Sequence, residues 1–125
     1  MNENQVTVRY MIDDVSAAIA FYTTHLGFAV EMEALPAFAA VTRGALRLLL
    51  SGPESSGRRL MPDGTKTIPG GWNRIQIAVP DLAREVEKLR AAGLHFRNDI
   101  ISGVGGSQII LDDPSGNPIE LFQGK

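Results

Sequence analysis

Apolar and polar residues alternate along Val6-Thr7-Val8-Arg9-Tyr10-Met11-Ile12, the period of a strand with one covered face. Asp13 and Asp14 interrupt the pattern, and Val15, Ile19 and Tyr22 then recur at helical spacing behind an Asp14 cap. His25-Leu26-Gly27-Phe28 closes that helix, Gly27 suiting the left-handed position after a last turn. The same order returns farther along. Asn73-Arg74-Ile75-Gln76-Ile77-Ala78-Val79 alternates, Pro80-Asp81 follows, and Leu82, Val86 and Leu89 repeat the stripe before Ala92-Gly93-Leu94. The two capping aspartates stand 67 residues apart, which predicts two copies of one βα-containing unit.

More short strands are predicted after each helix. In the first copy they cover Phe28–Glu33, Phe38–Thr42 and Leu46–Ser51; in the second, Leu94–Arg97, Ser107–Leu111 and Pro118–Gln123. Arg43-Gly44 and Asp112-Asp113-Pro114-Ser115-Gly116-Asn117 carry turn chemistry between them. Each copy therefore reads βαβββ, module one at about 5–52 and module two at about 72–123 of a single 125-residue domain. The connection, about 53–71, is rich in Gly, Pro and Ser and has no period, a length that suggests a lid or a dimer contact.

Alternation gives every strand two faces. One is apolar (Val8, Tyr10, Leu48, Leu50, Ile77, Ile109, Ile119 and Leu121 among others) and should pack beneath the helices. The opposite face carries Thr7, Arg9, Met11, Arg47, Leu49, Arg74, Gln76, Gln108, Ile110, Glu120 and Phe122. That mixture suits the solvated side of an antiparallel sheet, and it equally suits a concave small-molecule site. Pattern alone leaves both open.

Composition narrows the classes. With 12 Lys and Arg against 14 Asp and Glu, the net charge of −2 gives no footprint for nucleic acid or an anionic membrane. The absence of cysteine removes disulfides, thiol nucleophiles and Cys-based zinc sites, and it suits a reducing cytoplasm. The polar start, Met1-Asn2-Glu3-Asn4-Gln5, lacks the character of a secretory signal, and the longest apolar run, 34–41, is broken by Pro36. His25 and His95 each sit beside a helix-end glycine, and no third group completes a Ser–His–Asp arrangement. Gly103-Val104-Gly105-Gly106 precedes a strand, so it is no phosphate cradle of the strand–loop–helix kind. Trp72, after Gly70-Gly71, is placed either to stack on a planar ligand or to anchor packing.

Asp14, Phe21-Tyr22, Leu26-Gly27-Phe28, Asp81-Leu82, Ala92-Gly93 and Asp113-Pro114-Ser115-Gly116-Asn117-Pro118-Ile119-Glu120-Leu121 together resemble the vicinal oxygen chelate superfamily. That superfamily includes glyoxalase I, bleomycin-resistance proteins, fosfomycin-resistance transferases and extradiol dioxygenases. The resemblance implies an α+β fold of paired βαβββ modules, a curved, mostly antiparallel sheet around one cavity, and a homodimer. In the family's metal enzymes one ligand lies on the first strand and one on the last strand of each module. Carried over, these positions fall on Thr7 and Arg47, and on Arg74 and Glu120, of which only Glu120 is a ligand-type side chain.

Arginine has no lone pair to donate and stays charged at any biological pH. Two guanidinium groups would also repel a divalent ion by several kcal/mol each at an effective dielectric of about 20. The resemblance with this departure implies no metal and no cofactor, with Glu120 paired to Arg74, Arg47 or both. The expected role is binding of a small organic, anionic molecule by Thr7, Arg9, Met11, Arg47, Leu49, Trp72, Arg74, Gln76, Gln108 and Phe122, with Arg74→Ala costing affinity. The alternative is a lyase, isomerase or dioxygenase that uses Glu120 with a metal or as a general base.

Overall fold

In the computed structural model, which describes residues 2–125, the chain divides into two compact units, one up to Gly70 and one from Gly71. The first contains β1 (Val6–Met11), α1 (Val15–His25), β2 (Ala29–Ala34), β3 (Phe38–Arg43) and β4 (Leu46–Ser51). The second contains β5 (Ile75–Ala78), α2 (Leu82–Ala91), β6 (Ile101–Ser102), β7 (Gly106–Asp112) and β8 (Pro118–Gly124). The repeated βαβββ order of an α+β fold is thus present twice. The four-stranded sheets run β1-β4-β3-β2 and β5-β8-β7-β6, each with its first strand parallel to its last and the other pairs antiparallel.

Both helices begin as the sequence predicts. Asp14 accepts from the Ala17 amide at 3.1 Å and Asp81 from the Arg84 amide at 3.2 Å, each relieving a donor that the first turn leaves unpaired. Gly27 takes φ +73° directly after α1. In α2 the buried residues are the predicted Leu82, Val86 and Leu89. In α1 the buried set is Val15, Ala18, Phe21 and Tyr22, whereas Ile19 is only half-buried. The aromatic pair decides this: Tyr22 is fully buried and makes edge-to-face contacts with Phe21 and Phe28, centroids 5.0 and 5.5 Å apart. Beneath the helices lie Tyr10, Ala39, Val41, Leu48 and Leu50 in one sheet and Ile77, Ile109, Leu111, Ile119 and Leu121 in the other, all buried.

The strand expected at Leu94–Arg97 does not form. The segment touches β7 through Asp112 N–H to His95 O at 3.0 Å and Arg97 N–H to Ile110 O at 2.9 Å, and is reduced to one bridge between Phe96 and Leu111. Asn98 ends it, because its side-chain oxygen accepts the Ile110 amide at 3.0 Å and replaces a backbone partner. The edge position falls instead to the two-residue β6, joined to β7 through Gly103–Gly106. Gly106 adopts φ +152°, and a β-carbon there would overlap the Gln123 carbonyl oxygen. That glycine run therefore serves strand pairing. Gly106→Ala should destabilise the protein by about 2 kcal/mol, read as a lower urea midpoint at unchanged m.

The turn before β8 is built on one side chain. Asp113, 4% exposed, accepts from the Ser115 and Asn117 amides, both at 2.9 Å, and from Asn117 Nδ2 at 3.1 Å. Its own amide donates to Asn117 O at 2.8 Å. This closed loop delivers Pro118 into register with Asp112, and so determines which β8 residues face away from α2.

Candidate functional site

In the first unit the register places Thr7 beside Arg47, Arg9 beside Leu49 and Met11 beside Ser51, all on the face turned away from α1. In the second it places Gln76 beside Glu120 and Gln108 beside Phe122 on the corresponding face. The predicted grouping by face is therefore found within each sheet.

Glu120 is 6% exposed and both of its oxygens are occupied. Arg74 Nε and Nη2 reach Oε1 at 3.0 and 2.8 Å, and Gln76 Nε2 reaches Oε2 at 2.5 Å. Arg74 lies just before β5 begins, so it approaches from outside the sheet while Gln76 is the true cross-strand neighbour of Glu120. Arg74 Nη1 also donates to Trp72 O at 3.1 Å, leaving one N–H on each terminal nitrogen without an acceptor among the described residues.

Of the pairings expected for Glu120, the one with Arg74 is present, and Arg47 has a partner within its own sheet. Arg47, buried on the Thr7 side of β4, gives Nε to Glu31 Oε1 at 2.9 Å and Nη2 to Met32 Sδ at 3.8 Å. A register shift between Val30 and Met32 brings two consecutive β2 side chains within reach of it. Simple alternation cannot predict that, and neither Glu31 nor Met32 stands out in the sequence.

Trp72 is 69% exposed, and the Arg97 guanidinium lies over its ring at 4.8 Å from the centroid. Arg97 is itself held by Asp112 at 2.6 Å, Gly71 O at 2.7 Å and Gly116 O at 2.9 Å, while His95 Nδ1 meets the other Asp112 oxygen at 2.9 Å. One face of the indole is thus fixed by a cation. Arg97, Asp112 and His95 gave no functional signal in the sequence, because their contacts span a turn whose geometry only the fold supplies.

Arg9 donates Nη1 to Ser51 Oγ at 2.7 Å. Arg58, in the single 3-10 turn Ser56–Arg58, donates Nη1 to Ile12 O at 2.8 Å and Ser51 O at 3.3 Å. The start of the predicted linker is therefore fastened to the first sheet.

Thr7, Arg47, Arg74 and Glu120 do not fit a divalent ion. Two of the four are cations without lone pairs, and the one carboxylate already has donors on both oxygens. Among the described residues no three or more His, Cys, Asp or Glu side chains cluster as a metal site would need. Nor is any described helix long and apolar enough to cross a membrane.

The family model described as Glyoxalase/Bleomycin resistance protein/Dioxygenase superfamily matches residues 4–121. Among curated proteins none matches the sequence. A lactoylglutathione lyase from Agrobacterium tumefaciens superposes with TM-score 0.75 at 20% identity, over 98% of this chain and 95% of that one. A superfamily member from Sphaerobacter thermophilus DSM 20745 gives 0.76 at 22% identity, over 98% of each chain. TnmS3, an antibiotic-binding protein from Streptomyces sp. CB03234, gives 0.73 at 20% identity, over 100% of this chain and 98% of that one. At such identities the likeness is one of fold.

Proposed function

We infer that this chain, which belongs to the Glyoxalase/Bleomycin resistance protein/Dioxygenase superfamily, is a metal-independent binder of a small organic anion. The observation that carries the reading is the closed Arg74–Glu120–Gln76 arrangement, which ties up in internal hydrogen bonds the two positions, Arg74 and Glu120, that the family resemblance assigns to metal ligands. The proposed contacts are Thr7, Arg9, Met11, Arg47 and Leu49 on the first sheet. On the second they are Gln76, Gln108, Phe122 and Arg74, with Trp72 offering its uncovered ring face. The fold is shared with an antibiotic-binding protein and equally with a lactoylglutathione lyase, so it accommodates a binding role without selecting it. The same reading includes a homodimer working in the cytoplasm, with exposed Val30 and Met32 on edge strand β2 as surface a second copy would cover.

Two measurements test it. Protein purified without chelator should carry far less than one transition-metal ion per chain, and native mass spectrometry of protein from its own host should show a retained small organic mass. Trp72 is the only tryptophan, so its fluorescence should respond when that molecule is returned to the stripped protein. A stoichiometric metal released by Glu120→Gln would overturn the proposal.

A further inference from the structure

Arg47, Arg74 and Arg97 each have a carboxylate partner, Glu31, Glu120 and Asp112 respectively. Arg9 and Arg58 do not. Both converge on Ser51, Arg9 on its hydroxyl and Arg58 on its carbonyl, and neither forms an ion pair among the described residues. Two guanidinium groups meeting on one buried serine repel each other, neither has a carboxylate within 4.0 Å among the described residues, and the chain carries 14 acidic side chains overall. Hydrogen bonding is incomplete as well, since Arg58 Nε is buried with no acceptor.

The cluster is nevertheless held in shape. The Ile12 and Ser51 carbonyls, at the ends of neighbouring parallel strands, fix Arg58 through Nη1. Gly57 gives Arg9 its room, because a β-carbon at that position would overlap the Arg9 guanidinium. Arg9 remains exposed and Arg58 half-buried, so an incoming group can reach them.

We propose that Arg9 and Arg58 form an oxyanion site for a phosphate-type dianion, the charged end of the organic ligand. Two positive charges outside any ion pair match a dianion better than a single carboxylate, and its several oxygens suit guanidinium groups arriving from different elements. The proposal rests on the binding role argued above only in treating the anion as part of a larger molecule. Inorganic phosphate suffices to probe the site.

Calorimetric titration with phosphate at pH 7.5, against chloride of equal ionic strength, should show saturable binding to the whole protein and a phosphate-dependent rise in Tm. Arg9→Gln and Arg58→Gln should each weaken phosphate about tenfold or more, as expected when a charge-assisted contact is lost. Gly57→Ala keeps every charge but displaces the Arg9 guanidinium, so it should weaken phosphate in the same direction. Arg90→Gln, which removes an exposed cation on α2, should change nothing. Should Arg58→Gln fold poorly through loss of its carbonyl contacts, Arg9→Gln and Gly57→Ala still decide. Wild-type binding no stronger than the chloride control, or unchanged phosphate affinity in Arg9→Gln and Gly57→Ala, would overturn the site. A Trp72 response to the host-derived molecule without phosphate binding would defeat this inference alone, whereas a stoichiometric metal would defeat the metal-independent reading and leave phosphate affinity at Arg9 and Arg58 standing.

Discussion

Asp113→Ala should cost about 3 kcal/mol of stability, read as a lower urea midpoint with m unchanged. The carboxylate accepts three hydrogen bonds in a nearly dry turn, two from main-chain amides and one from the Asn117 side chain. Removing it takes a charged acceptor from all three, and bonds to a charged acceptor are worth roughly 1.5–3 kcal/mol each before non-additivity reduces the sum. Asp113→Asn separates charge from geometry. Both main-chain amides use Oδ1, which an asparagine oxygen can replace, so of these three contacts the Asn117 Nδ2 one is lost and the cost should be about 1 kcal/mol. A loss below about 1 kcal/mol for the alanine variant would mean that other contacts hold the turn. Function should follow stability here, because β8 begins at Pro118, two residues ahead of Glu120.

The parts of this fold that were legible in the sequence share a local cause. Asp14 and Asp81 announce helix starts because a cap needs only a carboxylate and an amide three residues on. Alternation announces the faces because it is a property of one strand at a time, and the registers then bring Thr7 beside Arg47 and Gln76 beside Glu120. What was illegible depends on partners distant in sequence. The Arg47–Glu31 pair rests on a strand irregularity between Val30 and Met32, and the Leu94–Arg97 segment yields to one Asn98 side chain. Arg58 lies in the connection whose length suggests a lid or a dimer contact, yet its partners are carbonyls at two strand ends. The Arg74–Glu120 pair sits between these cases. Its chemistry followed from the residue types, whereas the part played by Gln76 required the register.

Arg74→Met should destabilise the protein by about 3 kcal/mol, and adding Glu120→Gln should restore most of that loss. In the single variant Glu120 stays buried with Gln76 as its remaining side-chain donor, and an uncompensated buried carboxylate is the costly state. In the double variant a neutral amide takes its place beside Gln76, next to an apolar side chain of similar length to the lost arginine. The side chain of Arg74 is 24% exposed, which puts the expected cost at the lower end of the range of about 3–5 kcal/mol for breaking a buried pair. A coupling energy near zero in the four-member cycle would show that the two side chains stabilise the fold independently. The single variant also probes the chemistry, because it frees Glu120 Oε1 and removes the nearest cation. Added zinc should still fail to raise its Tm, since one carboxylate supplies one donor where a structural or catalytic site takes three or four. Stabilisation by zinc in Arg74→Met would reveal further donors around Glu120, and the ion pair would then be acting as a block on a competent metal site.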